Sequence, residues 1–123
     1  MDVNLDESEL NKLFKDDTAA LLVLDDEHFV EASAQALELI GVSSIEVLKS
    51  FHPAMISPEF QPDGQSSKLK ANEVFGTLLN NTSIRFYWRH ISIKGKFFDV
   101  NVTLRQRQEG SNKYIDVHWK RLD

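Results

Sequence analysis

From Ser83 onward the chain alternates. Ile84, Phe86, Trp88 and His90 fall on one parity and Arg85, Tyr87 and Arg89 on the other. Phe98, Val100, Val102 and Leu104 then alternate with Asp99, Asn101, Thr103 and Arg105. After Glu109, Gly110, Ser111 and Asn112, the residues Ile115, Val117 and Trp119 continue the pattern. A period of two places alternate side chains on opposite faces of a strand. Lys94-Gly95 supplies the first hairpin turn and Gly110 the second. The last third of the chain is therefore an antiparallel meander with one apolar face. Such a sheet is stable only when that face is covered, so the upstream residues must supply the cover and any further strands.

Upstream, residues 5–15 put Leu10, Leu13 and Phe14 at i, i+3, i+4, with acids early and Lys12 and Lys15 late. This predicts a short amphipathic helix, marginal alone, whose stripe docks on the domain or on a partner. Residues 18–24 read as an apolar strand, cut by the acidic turn Asp25, Asp26, Glu27, with a second short strand at His28, Phe29 and Val30. Ser33 caps a helix over 34–40 that Gly41 ends. Ser43 and Glu46 stand at capping-box spacing before a second helix that Pro53 closes. Residues 56–67, with two prolines and Asp63-Gly64, are a turn-rich crossing loop. The main helix spans 68–80, with Ser66 or Ser67 as cap and Ala71, Val74, Phe75 and Leu78 on one side. The class is α+β: a five-stranded antiparallel sheet, a helical cover on one face, and a flanking helix in residues 1–17 ahead of a domain over 18–123.

A chain of 123 residues is one domain. It has no cysteine, which excludes disulfides, thiolate metal sites, a cysteine nucleophile and any cofactor chemistry that runs through a thiol. No apolar run approaches the ~20 residues of a membrane span, and the acidic start lacks a signal peptide's basic region, so the chain reads as cytoplasmic. Residues 1–35 hold ten acids and two bases, residues 85–123 four acids and nine bases. A net charge of −5 argues against nucleic-acid binding. The basic third falls largely on outward strand positions (Arg85, Arg89, Arg105, Arg107), a surface suited to an acidic helix from this chain or a partner.

The order of elements, the segment Phe29 to Leu48, and the loop Ser57 to Ser67 followed by Ile84 to Leu104 resemble a PAS domain. The Gln61-Pro62-Asp63-Gly64 loop with the Phe86, Trp88, His90 spacing narrows this to the sensory-box subgroup of bacterial signalling proteins. The resemblance covers about residues 18–121. Ser33 stands where that family commonly has Asn, the Asp-Ile-Thr signature after the last strand is missing, and the chain stops where the family's coupling helix begins. The resemblance implies a module excised from a longer protein. It would sense a small ligand or dimerise, and control an attached diguanylate cyclase, histidine kinase or chemoreceptor. It also implies which cofactors are disfavoured. A cysteinyl-flavin photosensor is excluded by composition, and haem held by a His on the long helix is disfavoured because residues 68–80 contain none.

Phe75, Phe86, Trp88, His90, Val100, Val102 and Trp119 are the candidates to line an interior pocket. His90 suits a polar contact to a ligand and equally a hydrogen-bonded core histidine, and the tryptophans suit stacking on a planar ligand or plain core. His28, His52, His90 and His118 have no metal-ligand spacing, and the acidic turn lacks the pattern of a calcium loop. No catalytic residue is assigned: the sequence has no nucleophile elbow, and Asp99 and Asp116 fall on outward parity, which reads as a solvated face. Two other readings stand beside the sensor. One is a cone-shaped dehydratase or isomerase, which needs a buried Asp/His pair around His90; the other is a pure dimerisation scaffold using Leu10, Leu13 and Phe14.

Overall fold

The computed structural model describes residues 1–26 and 28–122. Glu27 of the acidic turn and Asp123 at the end of the expected domain lie outside the described residues. The elements are β1 (Asp2–Val3), α1 (Glu7–Phe14), β2 (Ala20–Leu24), β3 (Phe29–Ala32), α2 (Ala34–Ile40), α3 (Ile45–Lys49), a 3-10 turn (Pro53–Ile56), α4 (Ser67–Leu79), β4 (Ser83–Ile91), β5 (Phe97–Glu109) and β6 (Asn112–Leu122). One sheet has the order β1-β4-β5-β6-β2-β3, with all neighbours antiparallel. Six strands replace the expected five because Asp2 and Val3 pair with Arg85 and Ile84 at the edge of β4. A two-residue strand has no period to detect.

The meander forms as its alternation requires. Ile84, Trp88, Phe98, Val100, Val102, Leu104, Val117 and Trp119 are buried on the inner face, against Ala36, Ile40, Leu48, Ile56, Val74 and Leu78 from the helical side. Ser33 organises the corner between sheet and cover. Its hydroxyl accepts from Leu21 N at 2.9 Å and Ala36 N at 3.3 Å and donates to Ala19 O at 2.9 Å, so one side chain closes β2 and caps α2. Gly41 ends α2 at φ 91°, a conformation that favours glycine.

Three local expectations shift. Ser44, not Ser43, caps α3, since Ser44 is the extended residue and its Oγ accepts from Val47 N at 3.4 Å. Pro53 does not only end a helix: it opens the 3-10 turn, capped by His52, whose Nδ1 accepts from Ala54 N at 3.0 Å. Helix α4 starts at Ser67 under the Ser66 cap, and its buried line runs through Ser67, Val74 and Leu78. Phe75 follows Val74 about 100° further round the helix and turns outward, 40% exposed.

Candidate functional site

Two sites face each other across the sheet. Inside, His90 stacks on Phe98 with centroids 5.4 Å apart and meets Trp119 at 4.5 Å, while Trp88 lies 6.5 Å away and is met edge-on by Phe86 at 5.9 Å. Val100 and Val102 are buried on the same face. Six of the seven expected pocket residues thus share one face. The exception is Phe75, which lies outside this cluster for the helical reason given above.

The loop before α4 holds this face in place. The Gln61 amide accepts from Arg89 N at 2.9 Å and donates to Arg89 O and to Ser67 Oγ, both at 3.0 Å, fastening the loop to β4. That positions the preceding residues so that His90 Nδ1 reaches Ile56 O at 2.9 Å and Trp88 Nε1 donates to Ser57 Oγ at 3.0 Å. A carbonyl only accepts, so Nδ1 carries the proton. Burial in this apolar setting pushes the His90 pKa down to about 4, with only the Ile56 carbonyl opposing it. The histidine is neutral at pH 7.

Its partners decide between the readings of His90. Its ring is surrounded by Trp88, Phe98 and Trp119 and bonded to a backbone carbonyl, whereas the buried Asp116 is on the opposite face of the sheet. The buried Asp/His pair of a cone-shaped dehydratase is not assembled among the described residues. Every fully buried side-chain nitrogen and oxygen among the described residues has a hydrogen-bond partner within the chain. A flavin photosensor's thiol adduct cannot form here, because the chain has no cysteine.

The second site is the outer face. Helix α1, capped by Asp6 through Glu9 N at 3.1 Å, lies against β6 and reaches Arg105 of β5 through Phe14. Leu10 is fully buried there and Leu13 and Phe14 are half-buried. Leu10 is therefore not available to a partner chain; the stripe expected to mediate dimerisation packs on this chain's own sheet. Phe14 meets His118 edge-on at 6.3 Å and carries the Arg105 guanidinium 4.4 Å above its ring. Glu9 pairs with Arg85 at 2.8 Å, so the acidic helix does dock on the basic face. Three more arginines are matched within the sheet: Arg89 with Asp99 at 2.8 Å, and Arg105 and Arg107 with Asp116 at 2.7 and 3.0 Å.

Asp116 and Asp99 do not form a solvated face. Asp116 is only 5% exposed, because both arginines converge on it. Asp99 is held below the usual carboxylate range by Arg89 and also accepts from Tyr87 Oη at 2.8 Å. Thr103 and His118 are buried on the same face, and burial lowers the His118 pKa, helped by Arg85 and Lys120 and opposed by Asp16. Strand parity reads Asp99 and Asp116 as a solvated face. The neglected signal was the apolar stripe of α1, which needs a surface of its own. Beside α1 an open groove of about 870 Å³ runs over Val23, Val30 and Tyr114. Among the described residues no three potential ligands gather for a metal ion, and no helix is long and apolar enough to cross a membrane.

No protein-family model matches the sequence, and no curated protein sequence matches it significantly. Solved structures do. A PAS domain from a two-component sensor histidine kinase shares 18% identity, with 94% of this chain and 100% of that one covered and a TM-score of 0.71. A light-oxygen-voltage domain studied with a flavin analogue shares 12%, over 95% and 87%, at 0.73. The PAS domain of a protein from Desulfitobacterium hafniense shares 14%, over 85% and 92%, at 0.64. At such identities the likeness defines the fold: this chain has the PAS fold. The resemblance drawn from the Gln61 loop and the aromatic strand agrees with it.

Proposed function

We propose that the chain is a non-catalytic sensory or regulatory module that controls an attached output domain, of the diguanylate cyclase, histidine kinase or chemoreceptor kind, in a cytoplasmic setting. One observation carries the reading. On β6, Trp119 touches His90 inside the core and its neighbour His118 touches Phe14 of α1 outside. A change in the interior that shifts β6 therefore alters the surface on which α1 rests. The sensor kinase PAS domain and the light-oxygen-voltage domain that share this fold support the sensory class. The signal is a small, mostly apolar organic ligand that displaces part of the Trp88, His90, Phe98 and Trp119 cluster. It works as a switch only by binding one arrangement of β6 and α1 more tightly than the other.

The test is hydrogen exchange on Trp119→Leu, compared with Val74→Ala, a core truncation away from β6. At matched global stability, Trp119→Leu is expected to raise exchange at the α1 amides at least about tenfold, which corresponds to ~1.4 kcal/mol. Equal α1 exchange in both variants removes the readout. A native mass spectrum without bound ligand, together with a broad thermal-shift screen that leaves the melting temperature unchanged, reduces the module to a scaffold.

A further inference from the structure

Helix α4 presents a second apolar stripe, away from the core. Leu69 is 70% exposed and Leu79 79% exposed, and Asn72 and Gly76 lie exposed between them. Their spacing is three, four, three, which puts all four positions on one face of the helix. Gly76 has no explanation inside the chain. It lies in ordinary helix, nothing stands within 4 Å of where a Cβ would be, and glycine in a helix interior is a poor choice compared with alanine. A glycine of that kind marks where another backbone or side chain comes close.

The charges of α4 point the same way. Its first turn holds Lys68 and Lys70 and no acid, and its last turn holds no base. Lys70 is matched by Asp63 at 2.7 Å, whereas Lys68 sits exposed at the positive end of its own helix dipole. That placement is unfavourable within one helix and favourable beside the C-terminus of an antiparallel one.

We infer that α4 is a self-complementary docking surface on which a second copy of this chain packs its own α4 antiparallel, about a two-fold axis level with Val74. In that register Leu69 faces the partner's Leu79, Asn72 faces the partner's Gly76, and Lys68 lies level with the C-terminus of the partner helix. The arrangement is isologous, so each contact occurs twice. Phe75, Leu78 and Gln106 line an apolar groove of about 310 Å³ beside the seam that receives the rim of the partner helix. A helix of 13 residues is about 20 Å long and buries less than the ~800 Å² per partner of a standard interface, so the dimer is weak and concentration-dependent. The surface is separate from α1, and the dimer stands or falls apart from the readout proposed above.

Sedimentation of the 123-residue chain from low micromolar to near-millimolar concentration tests it. A reversible dimer is expected. Leu79→Glu and Leu69→Glu should each weaken it at least about tenfold, with unchanged circular dichroism because both side chains are exposed. Gly76→Ala should raise the melting temperature of the monomer and weaken the dimer, opposite signs that a merely structural glycine would not give. Because the chain has no cysteine, oxidising a mixture of Leu69→Cys and Leu79→Cys chains should trap a mixed dimer, more than either variant alone. A monomer at every concentration, or a dimer indifferent to Leu79→Glu, overturns the inference. So does a dimer that Leu13→Glu abolishes while Leu79→Glu leaves it intact, or equal trapping of Leu79→Cys alone.

Discussion

The side chain of Gln61 completes the hydrogen bonding of a backbone residue 28 positions away: both the N–H and the C=O of Arg89 bind its amide, at 2.9 and 3.0 Å. Gln61 itself is 2% exposed. Gln61→Ala should cost about 2–3 kcal/mol, since it leaves buried donors and acceptors unmet. Gln61→Glu should cost at least as much, because a carboxylate cannot donate to Arg89 O and places a charge in a buried site. Urea unfolding measures both; a loss below about 0.5 kcal/mol for Gln61→Ala would mean that the loop is held by other means.

Ser33 carries three hydrogen bonds at the corner between β2 and α2. Ser33→Ala removes a helix cap and orphans Leu21 N, and is expected to destabilise by about 1–2 kcal/mol. Ser33→Thr, which keeps the hydroxyl, should recover most of that loss. A Ser33→Ala protein with the wild-type urea midpoint would contradict the role assigned to this corner.

His90 makes the fold acid-sensitive. Its pKa falls from 6.5 to about 4 on folding, so its contribution is fully present above pH 6.5 and is lost as pH drops toward 4. At ~1.4 kcal/mol per unit the loss approaches 3 kcal/mol. The lowered His118 acts with the same sign. Urea midpoints between pH 7.5 and pH 4 should decline in the wild type and decline less in His90→Gln. Parallel curves for the two proteins would show that His90 is not the group responsible.

Asp116 receives both Arg105 and Arg107 in a nearly buried position. Asp116→Ala leaves two half-buried guanidinium groups without their shared carboxylate and should cost about 3 kcal/mol, whereas removing all three charges together should cost less than the sum of the single changes. A multi-mutant cycle on Arg105, Arg107 and Asp116 checks this. Simple additivity would show that the three side chains act independently.

Much of this was legible in the sequence. The alternation through Trp88 and Trp119 and the glycine turns at Gly95 and Gly110 defined the meander, because each signal is local and repeated. The positions of Ser33 and Gly41 defined the ends of α2 in the same way. What escaped was decided by tertiary contacts. Whether His118 meets water depends on where α1 lands, and no property of β6 records that. Phe75 lies one residue from the buried line of α4, too small an offset for a periodicity to resolve. The interior histidine was identified by parity, but its partner, the Ile56 carbonyl, became visible only once the loop was placed.

The Gln61 contact also bears on solubility. Strand β1 covers only Ile84 and Arg85, which leaves the outer edge of β4 open beyond them. Unpaired edges of that sort template pairing between molecules and are a common origin of aggregation. By occupying the N–H and C=O of Arg89, a loop side chain interrupts that edge without adding a strand. The loop thus blocks part of that edge, and variants that loosen it should aggregate more readily than the wild type.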